Sequence, residues 1–265
     1  MIDTHCHILP ALDDGAADEE AALAMARCAV EGGVKTIIAT PHMREGDYLN
    51  ERPRVLEAVD AFRAVLAREG IELRVEPGSE VHLGPRLPER IAEGRLLTYG
   101  DRRRHLLLEC PYRTRPVRLE ETIFELKVAG VTPVLAHPER IRYFQEDLSR
   151  YEEMVRLGSL GQMTSSSLLG VFGKPIQALS EKLVRRGLVH VLGSDAHDTE
   201  YRPPRLRSAV RRWAELAGEE AARRAVEDYP RALLAGEAID PPPPAPEPEK
   251  RGLMARLFGR RSGLV

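Results

Sequence analysis

Cysteine is scarce in this 265-residue chain, and long apolar runs are absent. The three cysteines are an odd number with no paired spacing, which argues against a secreted disulfide framework and for a reducing compartment. No apolar run approaches the roughly 18 residues that a membrane-spanning helix needs. The first residues already read as a strand, so no leader peptide is expected. Together these features favour a cytoplasmic protein.

An excess of charge of either sign is also missing. The chain has 39 basic and 41 acidic residues, for a net charge of -2. This balance gives no reason to expect nucleic acid as a partner, because chains that bind nucleic acid usually carry a basic excess. The length allows one large α/β domain or two small ones, each with a substantial core.

A cysteine-dependent phosphatase is excluded by spacing. That chemistry needs an arginine six positions after the nucleophilic cysteine. The three positions in question hold Leu12, Val34 and Pro116 instead. Cys6 and Cys110 are therefore expected to be small core residues.

Strand-like and helix-like segments alternate along the chain. Seven strand-like segments can be counted, and each of the first six precedes a helix or a connection of helix length. They cover residues 1–4, 34–39, 73–77, 105–109, 131–136, 160–164 and 189–193. This alternation predicts a parallel sheet.

Histidines and carboxylates occur at or just after the C-terminal ends of these segments. The candidates are His5, His7, Asp13 or Asp14, His42, Glu80, Glu109, His137, Asp195 and His197. Parallel barrels build their sites on this rim, so a barrel explains all of the positions. A doubly wound open sheet is the alternative, and it would bring fewer of these side chains together.

The candidate set has the composition of a metal site. His5 and His7 lie one residue apart at a strand end, where both imidazoles can converge on one ion. Imidazole and carboxylate without thiolate suit Zn²⁺, Mn²⁺ or Fe. The set exceeds what one ion needs, so we expect two or three ions, with a carboxylate such as Glu80 bridging two of them.

Some of these residues have ordinary structural alternatives. Asp13 or Asp14 can form an Asx-turn or cap the next helix, and we prefer Asp14 as the ligand. His82, His105 and His190 are expected to be hydrogen-bonded structural residues.

Seven short motifs follow one another between residue 1 and about residue 205. They are DTHCHILP with DDG at residues 3–10 and 13–15, ATPH at 39–42, GSE at 78–80, LLE at 107–109, AHPER at 136–140, SSSLLG at 165–170 and GSDAH at 193–197. In this order they resemble the polymerase and histidinol phosphatase (PHP) superfamily. Within it, they are most similar to bacterial metal-dependent tyrosine-protein phosphatases of capsule and exopolysaccharide loci.

The resemblance implies a fold and a site. The fold is a distorted (β/α)₇ TIM-like barrel with a trinuclear metal site at the C-terminal ends of the strands, and we take Mn²⁺ as the first candidate metal, ahead of Fe or Zn²⁺. The implied ligands are His5, His7, Asp14, His42, Glu80, Glu109, His137, Asp195 and His197.

Two arginines are implied to hold the phosphate. They are Arg140 and Arg202, which follow the histidine-proline and aspartate-x-histidine motifs. Their chemistry agrees, because a guanidinium binds phosphate oxygens in a bidentate way. Surface ion pairing is the alternative role for both. Asp198 and the segment from Gln162 to Thr164 depart from the family pattern, which affects the expected substrate fit more than the metal site.

The expected function is metal-dependent hydrolysis of phosphotyrosine in proteins by a metal-bound hydroxide. The expected partner is a tyrosine-phosphorylated protein, a bacterial tyrosine kinase of polysaccharide biosynthesis. One alternative is a small-molecule phosphoesterase such as a histidinol-phosphate phosphatase. Another, of a different class, is a non-catalytic module that contains metal and recognises a phosphorylated partner.

Composition divides the chain into three parts. Residues 1–238 are predicted to form the barrel, with a helical stretch near the end that buries Leu206, Val210, Trp213 and Leu216. Residues 239–250 form a proline-rich linker that is expected to be extended. Residues 251–265 form a basic amphipathic tail that is expected to be disordered. A weak contact with the inner membrane surface is the alternative for the tail.

Overall fold

The strands of the protein are short and all parallel. The structure, a computed structural model, describes residues 1–246. In this range the strand segments are β1 (Ile2–Cys6), β2 (Thr36–Ala39), β3 (His42–Met43), β4 (Arg74–Pro77), β5 (Glu80–His82), β6 (His105–Glu109), β7 (Thr132–Ala136), β8 (Leu160–Thr164) and β9 (Val191–Gly193). Every pairing between neighbouring segments is parallel, as the alternation predicts.

Two of the strands are interrupted near their C-terminal ends. Only Thr40 and Pro41 separate β2 from β3, and only Gly78 and Ser79 separate β4 from β5. Proline has no N–H to donate to a ladder. At Gly78, a Cβ atom would lie 2.9 Å from Cγ2 of Ile38, so the close approach of the two strands requires glycine.

The sheet closes into a ring. The pairing orders are β1-β2-β4 and β3-β5-β6-β7-β8-β9, so each interrupted strand continues from one sheet into the other. Beyond β9, the N–H of Asp195 donates to the oxygen of His5 at 2.7 Å, and that of His7 donates to the oxygen of Ala196 at 2.9 Å. Counting each interrupted strand once gives seven strands in the described chain. The predicted distorted (β/α)₇ barrel is confirmed.

Helices surround the ring. In the described range they are α1 (Glu19–Glu31), α2 (Arg52–Arg68), α3 (Leu87–Ala92), α4 (Leu119–Val128), α5 (Arg142–Glu146), α6 (Leu148–Arg156), α7 (Ser165–Leu168), α8 (Lys174–Arg186), α9 (Arg207–Ala217), α10 (Glu219–Arg223) and α11 (Tyr229–Ala235). The start of α1 follows from its cap, because the Asp18 carboxylate accepts from the N–H of Ala21. Its apolar face, including Met25 and Ala26, is buried against the sheet.

The barrel interior is apolar at one end only. A small buried cluster joins residues from six strands, so it fills the ring: Ile2, Ile38, Tyr99, Leu107, Val134, Ala136, Leu160, Val191 and Leu233. Tyr99 helps to close this end, and its hydroxyl donates to the oxygen of Thr4 at 3.1 Å. The C-terminal ends of the strands carry the polar residues instead.

The end of the described chain rests on the barrel. Leu206 and Trp213 are buried as predicted, whereas Val210 and Leu216 are only partly buried. Residues 237–246 form neither helix nor strand. The Ala245 N–H donates to the Arg186 oxygen at 2.9 Å, and Arg186 Nε donates back at 3.0 Å. This part of the predicted linker therefore contacts the C-terminal residue of α8; residues 247–250 and the predicted tail lie outside the described residues.

The cysteines have the predicted structural role. All three are free and buried, and Cys6 and Cys110 have no exposed surface. Burial, with the nearby Asp3 charge, raises the pKa of the Cys6 thiol well above its usual value. Burial raises the pKa of Cys110 to about 12. No helix in residues 1–246 is long and apolar enough to cross a membrane.

Candidate metal centre and arginine pair

A cavity of about 620 Å³ opens at the C-terminal ends of the strands. Most of the predicted ligands and both predicted arginines line it: Asp14, His42, Glu80, Glu109, Arg140, His137, Asp195, His197 and Arg202. His5 and His7 are fully buried and contact the lining carboxylates Glu80 and Asp195. The fold thus brings all nine predicted ligands together at the C-terminal ends of the strands, as the strand-end pattern predicts.

The two histidines of β1 and its extension face each other. His5 Nε2 and His7 Nε2 are 3.1 Å apart. Asp195 Oδ1 lies 3.4 Å from each of these nitrogens, and Glu80 Oε2 lies at 3.3 and 3.5 Å. At Gly193, a Cβ atom would come within 2.6 Å of the His5 Cβ. The glycine therefore allows β9 to place Asp195 beside His5.

Glu80 is the central carboxylate of the site. Its Oε2 lies 3.0 Å from His42 Nδ1, and its Oε1 lies 2.9 Å from His137 Nε2. Glu109 Oε2 lies 3.8 Å from the same nitrogen of His42. One carboxylate thus contacts four imidazoles, those of His5, His7, His42 and His137.

The two neighbouring aspartates have different places. Asp14 Oδ1 lies 3.4 Å from His42 Nε2 and 3.3 Å from His197 Nε2. Asp13 turns the other way, with Oδ2 2.7 Å from His7 Nδ1 and 2.9 Å from the His42 N–H. The preferred residue, Asp14, therefore faces the cavity, whereas Asp13 orients a histidine.

The donor set suits divalent cations. Within residues 1–246, three groups bring potential ligand atoms close together: His5 with His7 and Glu80; His42 with Glu80 and Glu109; and His7 with Asp14, His42 and His197. Each group combines imidazole nitrogen with carboxylate oxygen. His7, His42 and Glu80 each occur in two groups. His137 contacts these groups through Glu80, and Asp195 contacts them through His5 and His7.

Several buried ligand atoms have no hydrogen-bond partner. They are Glu109 Oε2 and His137 Nδ1, and Glu80 Oε2 and His42 Nδ1 lie 3.0 Å apart without an aligned hydrogen bond. Buried polar atoms without partners are costly. Burial, with the Glu80 charge, raises the pKa of Glu109 to about 7. Burial opposes the charge of Glu80 too, but the neighbouring histidines outweigh it and hold the Glu80 pKa well below its usual value. A bound cation would satisfy these atoms and offset the crowded negative charge.

Backbone strain marks two of the strand ends. His137 has φ +35° and Asp195 has φ +53°. Residues other than glycine adopt this region at a cost, and they do so preferentially at functional sites. After His137 the chain makes a short 3₁₀ turn, Pro138–Arg140, which brings Arg140 back over the cavity.

Both arginines converge on one oxygen. Arg140 Nη1 and Arg202 Nη2 each lie 2.5 Å from Asp195 Oδ2, while the other oxygen of Asp195 faces the β1 histidines. Nε of Arg202 is buried without a hydrogen-bond partner. A surface ion pair, the alternative role, does not describe this geometry, because Asp195 is buried.

Family membership follows from comparison with known proteins. A family model described as "Capsular polysaccharide synthesis, CpsB/CapC" matches residues 1–235. The chain belongs to the CpsB/CapC family. This confirms the resemblance to the capsule-type tyrosine phosphatases that the motifs predict.

Curated members of the CpsB/CapC family are named as phosphatases. The chain is 43% identical over 202 residues to the tyrosine-protein phosphatase YwqE of Bacillus subtilis (strain 168), covering 76% of this chain and 79% of that protein. It is 27% identical over 244 residues to the tyrosine-protein phosphatase CpsB of Streptococcus pneumoniae, covering 90% of this chain and all of that protein.

Solved structures agree with the family assignment. A chain from a study of YwqE and CpsB, called metal-dependent tyrosine phosphatases, superposes with a TM-score of 0.89 at 38% identity, covering 94% of this chain and 100% of that chain. A phosphotriesterase homology protein from Escherichia coli has a TM-score of 0.56 at 12% identity, covering 88% and 98%. The second likeness shows only the shared barrel fold.

Sequence reasoning missed a residue that supports the site. Gln162 of β8 places its Oε1 3.0 Å from His5 Nδ1 and accepts from the His137 N–H at 3.3 Å. The segment from Gln162 to Thr164 was expected to affect substrate fit more than the metal site. The Gln162 side chain nevertheless contacts two predicted metal ligands, so this segment also supports the ligand cluster. Its inward position on a central strand was the available signal.

The remaining histidines lie apart from this cavity lining. His190 Nδ1 accepts from the Gly161 N–H at 2.9 Å, and His82 Nδ1 lies 3.0 Å from the oxygen of Leu83. His105 is buried at the start of β6. Burial lowers the pKa of His190 to about 4. The hydrogen-bonded structural role expected for His82 and His190 agrees with these contacts, whereas Nδ1 of His105 is buried without a hydrogen-bond partner.

Proposed function

We propose that the protein hydrolyses phosphotyrosine in other proteins with two or three divalent ions bound at the barrel rim. One observation carries the proposal: Arg140 and Arg202 meet the metal-ligand cluster at Asp195, so phosphate-binding and cation-binding groups share one cavity. The names of the CpsB/CapC relatives supply the substrate class. Electrostatic stabilisation of a transferring phosphoryl group needs these two elements side by side.

The proposed ligands are the nine residues expected from the sequence. We assign them as His5, His7, Asp14, His42, Glu80, Glu109, His137, Asp195 and His197. Their imidazole and carboxylate atoms suit Mn²⁺ first, with Fe or Zn²⁺ as alternatives. Glu80 is the proposed bridging ligand, because its two oxygens face different histidines.

The residues of the chain have separate roles in the reaction. When bound, the ions would supply positive charge and lower the pKa of a water molecule. Arg140 and Arg202 bind and orient the phosphate oxygens, and Asp195 fixes both guanidinium groups at the edge of the ligand cluster. A tyrosyl phenolate, whose parent pKa is near 10, leaves more readily than a serine alkoxide.

The proposed substrate is a tyrosine-phosphorylated protein, a bacterial tyrosine kinase of polysaccharide biosynthesis, met in the cytoplasm. The family description supports the pathway. We further propose residues 1–238 as the catalytic unit, 239–250 as a linker and 251–265 as a tail. A chain that ends at residue 246 keeps the Arg186 contact and should retain turnover. Its inactivity would contradict this division.

Turnover on defined substrates tests the function. The full chain with Mn²⁺ should release phosphate from a phosphotyrosine peptide faster than from the matched phosphoserine peptide or from histidinol phosphate. Preferred hydrolysis of histidinol phosphate would favour the small-molecule alternative. Binding of the phosphopeptide without phosphate release would make the protein a recognition module.

A further inference from the structure

Two tyrosines line the cavity on the outer side of the ligand cluster. The Tyr48 ring stacks on His42, with ring centroids 5.7 Å apart and an interplanar angle of 15°. The Tyr112 ring stacks on His137 in the same way, at 5.3 Å and 11°. Because both tyrosines also line the cavity, each ring covers a candidate ligand with one side and borders open space with another.

Hydrogen bonds to neighbouring residues hold both tyrosines in place. Tyr48 ends a short hairpin in which its N–H donates to the Arg44 oxygen at 2.9 Å and its oxygen accepts from the Arg44 N–H at 2.8 Å. The Tyr112 hydroxyl lies 3.3 Å from His137 Nε2, and its backbone oxygen accepts from the Arg142 N–H at 2.8 Å. Fixed aromatic surfaces bind planar groups at little cost in conformational entropy.

One of the rings contacts Arg140, one of the two arginines proposed to bind phosphate. The Arg140 guanidinium carbon lies 5.2 Å from the Tyr112 ring centroid and 4.9 Å from that of Phe172. Arg140 is thus flanked by two aromatic rings, and these contacts are within the range of cation–π attraction. A phosphate bound by Arg140 would therefore lie close to the Tyr112 ring.

We propose that Tyr48 and Tyr112 bind the phenyl ring of the substrate and thereby select aryl phosphates over alkyl phosphates. This inference rests on the proposed function and adds the residues that determine its specificity. The phosphate enters toward the buried ligands and the two arginines, so the group attached to it must lie at the level of the tyrosine rings. A tyrosyl substrate places a π-system there, whereas a seryl substrate places its peptide backbone there.

Binding of small phosphonates tests the inference without turnover. For the full chain loaded with Mn²⁺, calorimetry would give the dissociation constants of phenylphosphonate, methylphosphonate and inorganic phosphate. Wild type should bind phenylphosphonate more tightly than methylphosphonate. Each of Tyr48→Leu and Tyr112→Leu should reduce this preference by about two- to tenfold, the range of one aromatic contact. Tyr48→Phe and Tyr112→Phe should keep it, because the ring remains.

Matched measurements make the result specific. Tyr201→Leu changes an exposed tyrosine that is absent from the cavity lining and should keep the preference. A loss of phosphate affinity equal to that of phenylphosphonate would mean a damaged arginine site and would count against the inference. An unchanged preference in both leucine variants would overturn it. Ring preference without hydrolysis would refute the proposed function alone, and hydrolysis without ring preference would refute the inference alone.

Discussion

The two ends of the barrel have cavities of similar volume but different chemistry. The cavity at the N-terminal ends of β1, β2 and β4 measures about 660 Å³, slightly more than the 620 Å³ at the other end. Its charged residues include Lys35, Arg74 and Glu227, which are not buried. At the C-terminal end, three carboxylates, Glu80, Glu109 and Asp195, are buried and converge. Cavity size therefore does not identify the site; convergence of buried ionisable groups does.

The same contrast holds between single histidines. His5 and His190 are both buried, with 0% and 4% of their surface exposed. His5 lies among carboxylates, and although burial opposes its charge, Glu80 and Asp195 raise its pKa. His190 has a backbone N–H as partner, and burial lowers its pKa to about 4. Burial alone therefore does not identify a functional histidine, whereas the groups that contact the imidazole do.

Replacing one histidine at each end of the barrel should affect turnover very differently. We expect His5→Ala to lower kcat/KM for a phosphotyrosine peptide more than about 1,000-fold, beyond the loss of one transition-state donor, because a ligand is missing. His190→Asn keeps a hydrogen-bond acceptor for Gly161 and should keep turnover close to wild type. Steady-state assays with excess Mn²⁺ would measure both. Equal losses in the two variants would remove the distinction between the ends.

Loss of an arginine should cost nearly as much. Arg140→Ala should reduce kcat/KM by about 100- to 1,000-fold, as for loss of one oxyanion-stabilising group. Arg44→Ala is the matched control, because Arg44 lines the same cavity but is half-exposed and pairs with Asp47 at 3.0 Å. Phosphate inhibition constants should rise in the first variant only. An active Arg140→Ala enzyme would contradict the phosphate-binding role.

A smaller effect is expected from the residue behind the ligands. Gln162→Leu removes the oxygen that contacts His5 and the His137 N–H while keeping similar volume. Substitutions of this kind typically cost about 10- to 100-fold in metal affinity or activity. Titration of metal-free protein with Mn²⁺, followed by phosphotyrosine turnover, would measure both quantities. Wild-type affinity and turnover in this variant would show that Gln162 does not orient His5.

The smallest effect concerns stability and pH. Because the folded-state pKa of His190 is about 4, below its unfolded value near 6.5, the unfolded chain takes up a proton first as pH falls. The stability contributed by neutral His190 is present above pH 6.5 and is lost toward pH 4. Between pH 7 and pH 5 this amounts to about 2 kcal/mol. The free energy of unfolding measured in urea should depend less on pH for His190→Asn than for wild type. An equal pH dependence in the two proteins would contradict this prediction.

Much of the fold follows from local sequence signals. β6 and β8 have the predicted bounds, because short apolar runs between turn residues leave few alternatives. Other segments shift at their ends; β1, for example, extends to Cys6. The breaks at Pro41 and Gly78 are tertiary features, since they depend on how closely two strands approach at the rim. The sequence pattern cannot show them.

The candidate site, like the fold, is only partly predictable from the sequence. Strand-end positions predict which ligands come together, because parallel strands end on one rim. They do not decide between Asp13 and Asp14, whose orientations depend on His7 and His197. The placement of Arg140 between Tyr112 and Phe172 joins three loops that are distant in sequence, so only the folded chain reveals it. The contact of Ala245 with Arg186 is equally non-local.

Dependence of turnover on bound metal tests the central claim most directly. Chelator-treated full-length protein would be titrated with Mn²⁺, with elemental analysis of bound ions and phosphotyrosine hydrolysis followed on the same samples. Activity should be absent at first and should rise to a plateau as two or three ions bind per chain. Full activity in protein shown to be free of metal would contradict the assignment of the C-terminal end as a metal-dependent phosphatase site.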